Sequence, residues 1–240
     1  MHRLTSYFWH GDILRSRDVS GVVLSGTVDV PAVPAALEAD WERELSVGLG
    51  RGLSPGDVEA LPLARSRARG RWPDYRHCVQ AAASWTQAQG LPGVLASSDM
   101  ALMACRGAKY HHDGAQYGEA AFCNLFLSED KGLDLHFAMT GHRIALVRGT
   151  MVVFDTGQPH AVIQRCSSGF RAADFPAGED HTVTFLTWEL PIENADVRHA
   201  LQVSFDVDPA TAERLKEPQL LLNKRPITVC PACGQWCPAE

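Results

Sequence analysis

The chain has 240 residues, a net charge of −6 at pH 7 and 45% hydrophobic residues, which is ordinary for a globular protein with room for one substantial core. The acidic balance argues against a general nucleic-acid binder, which needs a dominant basic footprint, although a local basic groove stays open. No stretch approaches the run of about twenty apolar residues that a membrane helix needs, and Met1 to Gly11 lacks a secretory apolar segment, so no membrane partner and a cytoplasmic location are expected.

Residues 1–99 read as a support layer for a β-rich core further along the chain. Gly21 to Val30 forms an early strand, and Pro34 to Val47 a helix whose Leu37, Trp41 and Leu45 recur at helical spacing. Ser54-Pro55-Gly56-Asp57 supplies a cap, a tolerated proline and a first-turn acid, so a short helix is expected there. Arg65, Arg67, Arg69 and Arg71 fall within seven residues. They read either as a solvated loop or as a flap that meets an acidic substrate. Pro73 to Gln89 is the longer helix, with Tyr75, Cys78, Val79, Ala82 and Trp85 on one stripe to lie against a sheet.

From residue 100 to 190 the pattern changes to eight short apolar segments: Met100 to Arg106, Lys109 to Asp113, Phe122 to Ser128, Leu133 to Met139, Arg143 to Val147, Met151 to Asp155, His160 to Arg165 and Thr182 to Leu190. Turn residues such as Gly107, Gly114, Gly132, Gly141, Gly149 and Gln158-Pro159 separate them. Eight short strands with regular punctuation predict a mainly β fold with α support, a double-sheet jelly roll.

Two of these strands carry chemistry. Residues two apart on a strand share a face, so His111 and Asp113 can present an imidazole and a carboxylate to one ion while His112 points away. His160, opening the seventh strand, completes a set of two histidines and one carboxylate. Such a set leaves about half of an octahedral shell open, as non-haem Fe(II) oxygenases require.

With the passage Arg148-Gly-Thr-Met-Val-Val-Phe-Asp-Thr-Gly-Gln-Pro-His-Ala-Val162, in which a glycine precedes a strand ending in Phe and the histidine is followed by Ala-Val, the chain resembles the iron(II)/2-oxoglutarate-dependent dioxygenases over about residues 100 to 190. The resemblance implies a double-stranded β-helix, cupin-like in build, with H-x-D closing its second strand and a distal histidine opening its seventh. It implies Fe(II) on His111, Asp113 and His160, 2-oxoglutarate as cosubstrate, and an oxygenase that hydroxylates a small-molecule or peptide substrate while releasing succinate and CO₂. Halogenation is disfavoured because Asp113 stands where halogenases of the family lack a carboxylate. The family holds the far carboxylate of 2-oxoglutarate with a basic residue after the distal histidine, and Arg171 has the matching spacing. The insertion Ala172 to His181 departs from the family's placement at the start of the eighth strand, so Arg165, Arg143 and Lys109 remain alternatives. A cupin-like metalloenzyme without a keto acid and a non-catalytic binding module remain as other readings.

Residues 191–240 add two short helices, Glu193 to Leu201 and Pro209 to Glu217, and a cysteine-rich tail within one structural domain overall. Cys230-Pro231-Ala232-Cys233-Gly234 resembles the knuckle of zinc ribbons and rubredoxins, with Cys237 as a third ligand for a structural zinc. The chain has no second C-x-x-C pair, so the fourth ligand would be a distant His or Cys, water, or a partner: a second copy or another protein docked on the tail. The competing reading is a flexible or redox-active tail. Cys78, Cys105, Cys123 and Cys166 read as reduced, buried small hydrophobes.

Overall fold

The computed structural model describes residues 4–61 and 68–238. At its centre are eight strands: β5 (Asp99–Cys105), β6 (Ala108–His111), β7 (Ala120–Phe126), β8 (Leu133–Phe137), β9 (His142–Ala145), β10 (Thr150–Asp155), β11 (His160–Gln164) and β12 (Val183–Pro191). They divide between two antiparallel sheets, alternating except that β8 and β9 pair as a hairpin within one of them. One runs β10-β7-β12-β5, extended at its edges by β3 (Val23–Thr27) and β4 (Val58–Leu61), and the other runs β6-β11-β8-β9. This strand order is that of a double-stranded β-helix.

Alternation of side chains across the larger sheet divides the core in two. Leu102, Ala104, Cys123, Leu125, Val153, Leu186 and Trp188 face outward, where they meet α1 (Ala35–Leu49) and α3 (Tyr75–Ala88). Leu37, Trp41 and Leu45 of α1 are buried there, as are Tyr75, Cys78 and Ala82 of α3. On the inner face Phe126, Phe154 and Phe185 meet Leu133, Leu135, Phe137 and Val162 of the second sheet.

Both ends of the chain build a further sheet. β1 (Leu4–His10) and β2 (Ile13–Asp18) join β13 (Gln219–Leu222), β14 (Arg225–Val229) and β15 (Trp236–Pro238) in the order β15-β14-β13-β1-β2. Leu4 pairs with Leu222. The helices α4 (Ala195–Ala200) and α5 (Pro209–Ala212) lie between, each with a side-chain cap, Asn194 and Asp208.

The expected helix at residues 54–57 is instead a turn. The Asp57 carboxylate accepts from the Ser54 amide at 2.8 Å, and Val58 to Leu61 then pairs with Leu102 to Cys105 as an edge strand. Pairing with β5 satisfies the backbone groups that a helix would have satisfied internally. Arg65 and Arg67 lie outside the described residues, whereas Arg71, in the short helix α2 (Ala68–Arg71), pairs with Asp40. Cys78, Cys105 and Cys123 are buried and free as expected, but Cys166, on the turn after β11, is exposed. Among the described residues no helix is long and apolar enough to cross a membrane.

Candidate metal centre and its cavity

The two sheets enclose a cavity of about 710 Å³, lined mainly by apolar side chains. Lys109, His111 and Asp113 all line it. The intervening Tyr110 and His112 point to the other side of the strand, where the His112 ring lies 6.0 Å from that of Trp236. His160 faces His111 across the β6–β11 pair, with ring centroids 4.5 Å apart.

The donor atoms are aimed by the backbone. His111 Nδ1 lies 2.7 Å from the Lys109 carbonyl, and His160 Nδ1 lies 3.0 Å from the Gln158 carbonyl. A carbonyl oxygen can only accept, so each ring carries its proton on Nδ1 and leaves the Nε2 lone pair free. Those Nε2 atoms converge on one carboxylate: His111 Nε2 is 3.7 Å from Asp113 Oδ1, and His160 Nε2 is 3.5 Å from Asp113 Oδ2. The three donors lie within 4.8 Å of one another, and no other group of three or more metal-binding side chains meets that limit among the described residues.

The electrostatics suit a set that receives a cation. Burial, and then the neighbouring His111, pulls His160 down to about 3. Burial raises the Asp113 carboxyl against the opposing pull of His111 and His112. A divalent ion would reverse both costs, binding neutral imidazoles and stabilising the ionised carboxylate. Two nitrogens and one carboxylate therefore fit a divalent transition metal with open coordination positions.

What holds this geometry lies behind it. The Asp113 amide donates to the Thr156 carbonyl at 2.8 Å, and the Thr156 hydroxyl donates to the Tyr117 carbonyl at 2.7 Å. A side chain at Gly114 would place its Cβ 2.9 Å from Gly157 Cα, so the two ligand-bearing segments meet backbone to backbone. Asp155, next in the same turn, is fully buried and receives both terminal nitrogens of Arg17, at 2.6 and 2.9 Å, and the amides of Ser20 and Gly157. Arg17 is equally buried and also donates to the Gly118 carbonyl. Removing one member of such a pair strands the other charge, at about 3–5 kcal/mol.

The structure does not bring Arg171 to the cavity. Its side chain is 71% exposed and folds back on Asp174 at 3.0 Å, because a 3-10 turn over Ala172–Asp174 begins the inserted segment. Arg165 is held by Asp130 and Asp134, and Arg143 by Asp134 and the Gln164 and Ser167 carbonyls. Lys109 is the lysine on the cavity wall, beside Gly56 and Phe170. The signal that finds it is the alternation that pairs His111 with Asp113, carried one step back along the strand.

The tail cysteines do not gather into the expected three-thiolate set. Amides of Ala232 and Cys233, and then the Cys233 side chain, hold the Cys230 thiol below its usual range, and the Gly234 amide closes the turn by donating to the Cys230 carbonyl at 2.9 Å. Cys237 is carried away on β15, where it pairs with Thr228 and its thiol approaches the Gln235 carbonyl at 3.9 Å. The turn packs as structure, with Pro231 accepting from the Tyr110 amide and Ala232 from the Phe170 amide.

No protein-family model matches the chain, and no curated protein sequence does. Among solved structures, a prolyl-4-hydroxylase from Pseudomonas putida is similar at 16% identity over 70% of this chain and 91% of the other, with a TM-score of 0.36. EvdO2 from Micromonospora carbonacea var. aurantiaca is similar at 13% identity over 72% and 87%, with a TM-score of 0.40. SnoN, a non-heme alpha-ketoglutarate-dependent epimerase from nogalamycin biosynthesis, is similar at 13% identity over 82% and 89%, with a TM-score of 0.35. The strand order and pairing of the two sheets define the fold.

Proposed function

We propose that this chain is an Fe(II)- and 2-oxoglutarate-dependent oxygenase acting on a small molecule. The observation that carries the reading is the convergence of His111 Nε2, His160 Nε2 and the Asp113 carboxylate on one point of a double-stranded β-helix cavity. In this reading those three residues hold the iron, and the two backbone carbonyls behind the histidines keep the rings aimed. Lys109 replaces Arg171 as the residue that holds the far carboxylate of the keto acid. It lines the same cavity, and the nearby carboxylate on which its charge acts, Asp57, is already paired with Arg51. Iron held there, with the keto acid and O₂, would supply the oxidising chemistry, one oxygen atom of O₂ going to succinate as CO₂ leaves 2-oxoglutarate and the other to a substrate C–H bond. Phe122, Phe126, Phe154 and Phe185 contribute apolar walls that exclude water from it.

One observation favours a second reading. Where the family's usual arginine would stand, near the start of the eighth barrel strand, the cavity-facing residue of β12 is Phe185. A cupin-like metalloenzyme that uses no keto acid has no need of a cation there. Anaerobic titration of the Fe(II) protein with 2-oxoglutarate separates the two. The oxygenase reading expects the visible charge-transfer band of a chelated keto acid. Iron binding with no band and no heat of keto-acid binding would leave the cupin-like reading.

A further inference from the structure

The cavity wall formed by β7 and β12 carries polar groups that neither the metal nor the keto acid uses. Asn124 and Thr187 are direct cross-strand partners and both face the cavity. Asn124 is only 6% exposed, and its Oδ1 has no hydrogen-bond partner. A buried acceptor is seldom left unpaired, so this amide is set for a donor that a ligand brings. Two residues further along β12, Glu189 also faces the cavity and pairs with Phe122, whose other neighbour Phe154 sets its ring 4.8 Å from that of His160. Glu189 therefore stands at the level of the metal centre. Burial, then the nearby carboxylates Asp99 and Glu119, raises its carboxyl, and no basic side chain among the described residues counters them. Lys109 stands at the opposite end, beside Gly56. The one cavity thus has a positive pole and a negative pole, with apolar walls between them.

Resting on the oxygenase reading, we propose that the substrate is a small apolar molecule bearing a protonated amine, whose N–H groups meet the Glu189 carboxylate and the Asn124 carbonyl. A cation next to Glu189 relieves the repulsion among three carboxylates, and an ammonium supplies the donors that both acceptors lack. The volume of about 710 Å³ suits a molecule of drug-like size. A carboxylate-bearing substrate would be repelled at this end, and a neutral alcohol would satisfy Asn124 while leaving Glu189 unpaired.

The test is calorimetry on the Fe(II)-loaded protein with 2-oxoglutarate under nitrogen, using hexylamine, 1-hexanol and hexanoate as probes with one body and three head groups. Hexylamine should bind at least about tenfold tighter than hexanol, the difference a charge-assisted hydrogen bond supplies, and hexanoate weakest of the three. Glu189→Gln should bring hexylamine to the level of hexanol, and Asn124→Leu should weaken both. Hexylamine binding no tighter than hexanol, or a preference that survives Glu189→Gln, overturns the proposal. The charge-transfer band, recorded on the same samples, keeps the two claims apart. A band without amine preference sinks the substrate class alone, and absence of the band in wild type sinks the oxygenase reading on which it rests.

Discussion

Two stretches of this chain carry residues able to bind a metal, and the backbone treats them differently. His111 and His160 come from two paired strands and Asp113 from the segment just past the first, the second nitrogen of each histidine is tied to a backbone carbonyl, and the three free donors converge. Cys230, Cys233 and Cys237 come from a single short segment, and strand pairing of β15 takes the third thiol away from the other two. Spacing along the chain supplies the residue types but not their convergence.

The largest expected effect that sharpens this contrast is at Asp113. Loss of an outer-shell partner typically costs about 10–100-fold in metal affinity, so Asp113→Ala, which removes a ligand, should exceed a hundredfold, with far-ultraviolet circular dichroism unchanged. Isothermal titration with Fe(II) under nitrogen reads this directly. Unaltered affinity would mean that the converging donors are not the binding site.

Next in size is the contrast between two basic residues. Lys109→Met should keep iron and raise the 2-oxoglutarate concentration needed for half-formation of the charge-transfer band by about tenfold to a hundredfold, the worth of a charge-assisted contact. Arg171→Ala should leave that titration where it is, since its partner is Asp174. The reverse result would return the keto-acid anchor to the inserted segment.

A third effect is on pH and concerns the metal-free protein. Burial holds the folded-state pKa of His160 near 3, whereas an unfolded histidine titrates at about 6.5. As pH falls below that value the unfolded chain takes up a proton that the folded chain refuses. The stability due to this group is therefore present above pH 6.5 and is lost progressively down to about 3. At pH 5 the loss from this group is about 2 kcal/mol. Urea unfolding of the chelator-treated protein should show wild type losing more stability between pH 7 and pH 5 than His160→Gln. Equal losses would show that His160 is not held neutral.

A smaller effect tests how the tail packs against the barrel. Gly234 has φ +78°, and a Cβ there would come within 2.6 Å of the Tyr110 ring. Gly234→Ala should therefore cost about 1–3 kcal/mol by overpacking and by the unfavourable backbone angle, read as a shift of the urea midpoint with iron content preserved. No shift would mean that the tail is not packed against β6.

How much of the fold and the site is legible in the chain depends on whether the signal is local. The eight barrel strands stand out because their side chains alternate between a helix-covered face and a cavity face and because turn residues punctuate them. The same alternation places His111 and Asp113 together and His112 apart. The sheet made by the two ends of the chain is not legible. Leu4 to Phe8 is buried at five successive positions, without alternation, and its partner Leu220–Leu222 lies more than two hundred residues away. Ser54 to Asp57 carries helix-start residues, but a strand edge at β5 is available and pairing with it prevails. Arg171 is expected from its distance after His160, a count that the 3-10 turn over residues 172–174 makes irrelevant. Lys109, Asn124, Thr187 and Glu189 are within reach of the period-two rule, since each shares a strand face with a residue that points inward.

The central claim of the proposed function is that iron is held by His111, Asp113 and His160 and not by the tail cysteines. It is tested most directly by elemental analysis of purified protein loaded anaerobically with Fe(II), comparing wild type with a Cys230→Ser, Cys233→Ser, Cys237→Ser triple variant and with His160→Ala. The account predicts one iron per chain in wild type and in the cysteine variant, and none retained after desalting in His160→Ala. Iron lost with the cysteines, or retained at full stoichiometry without His160, would contradict it.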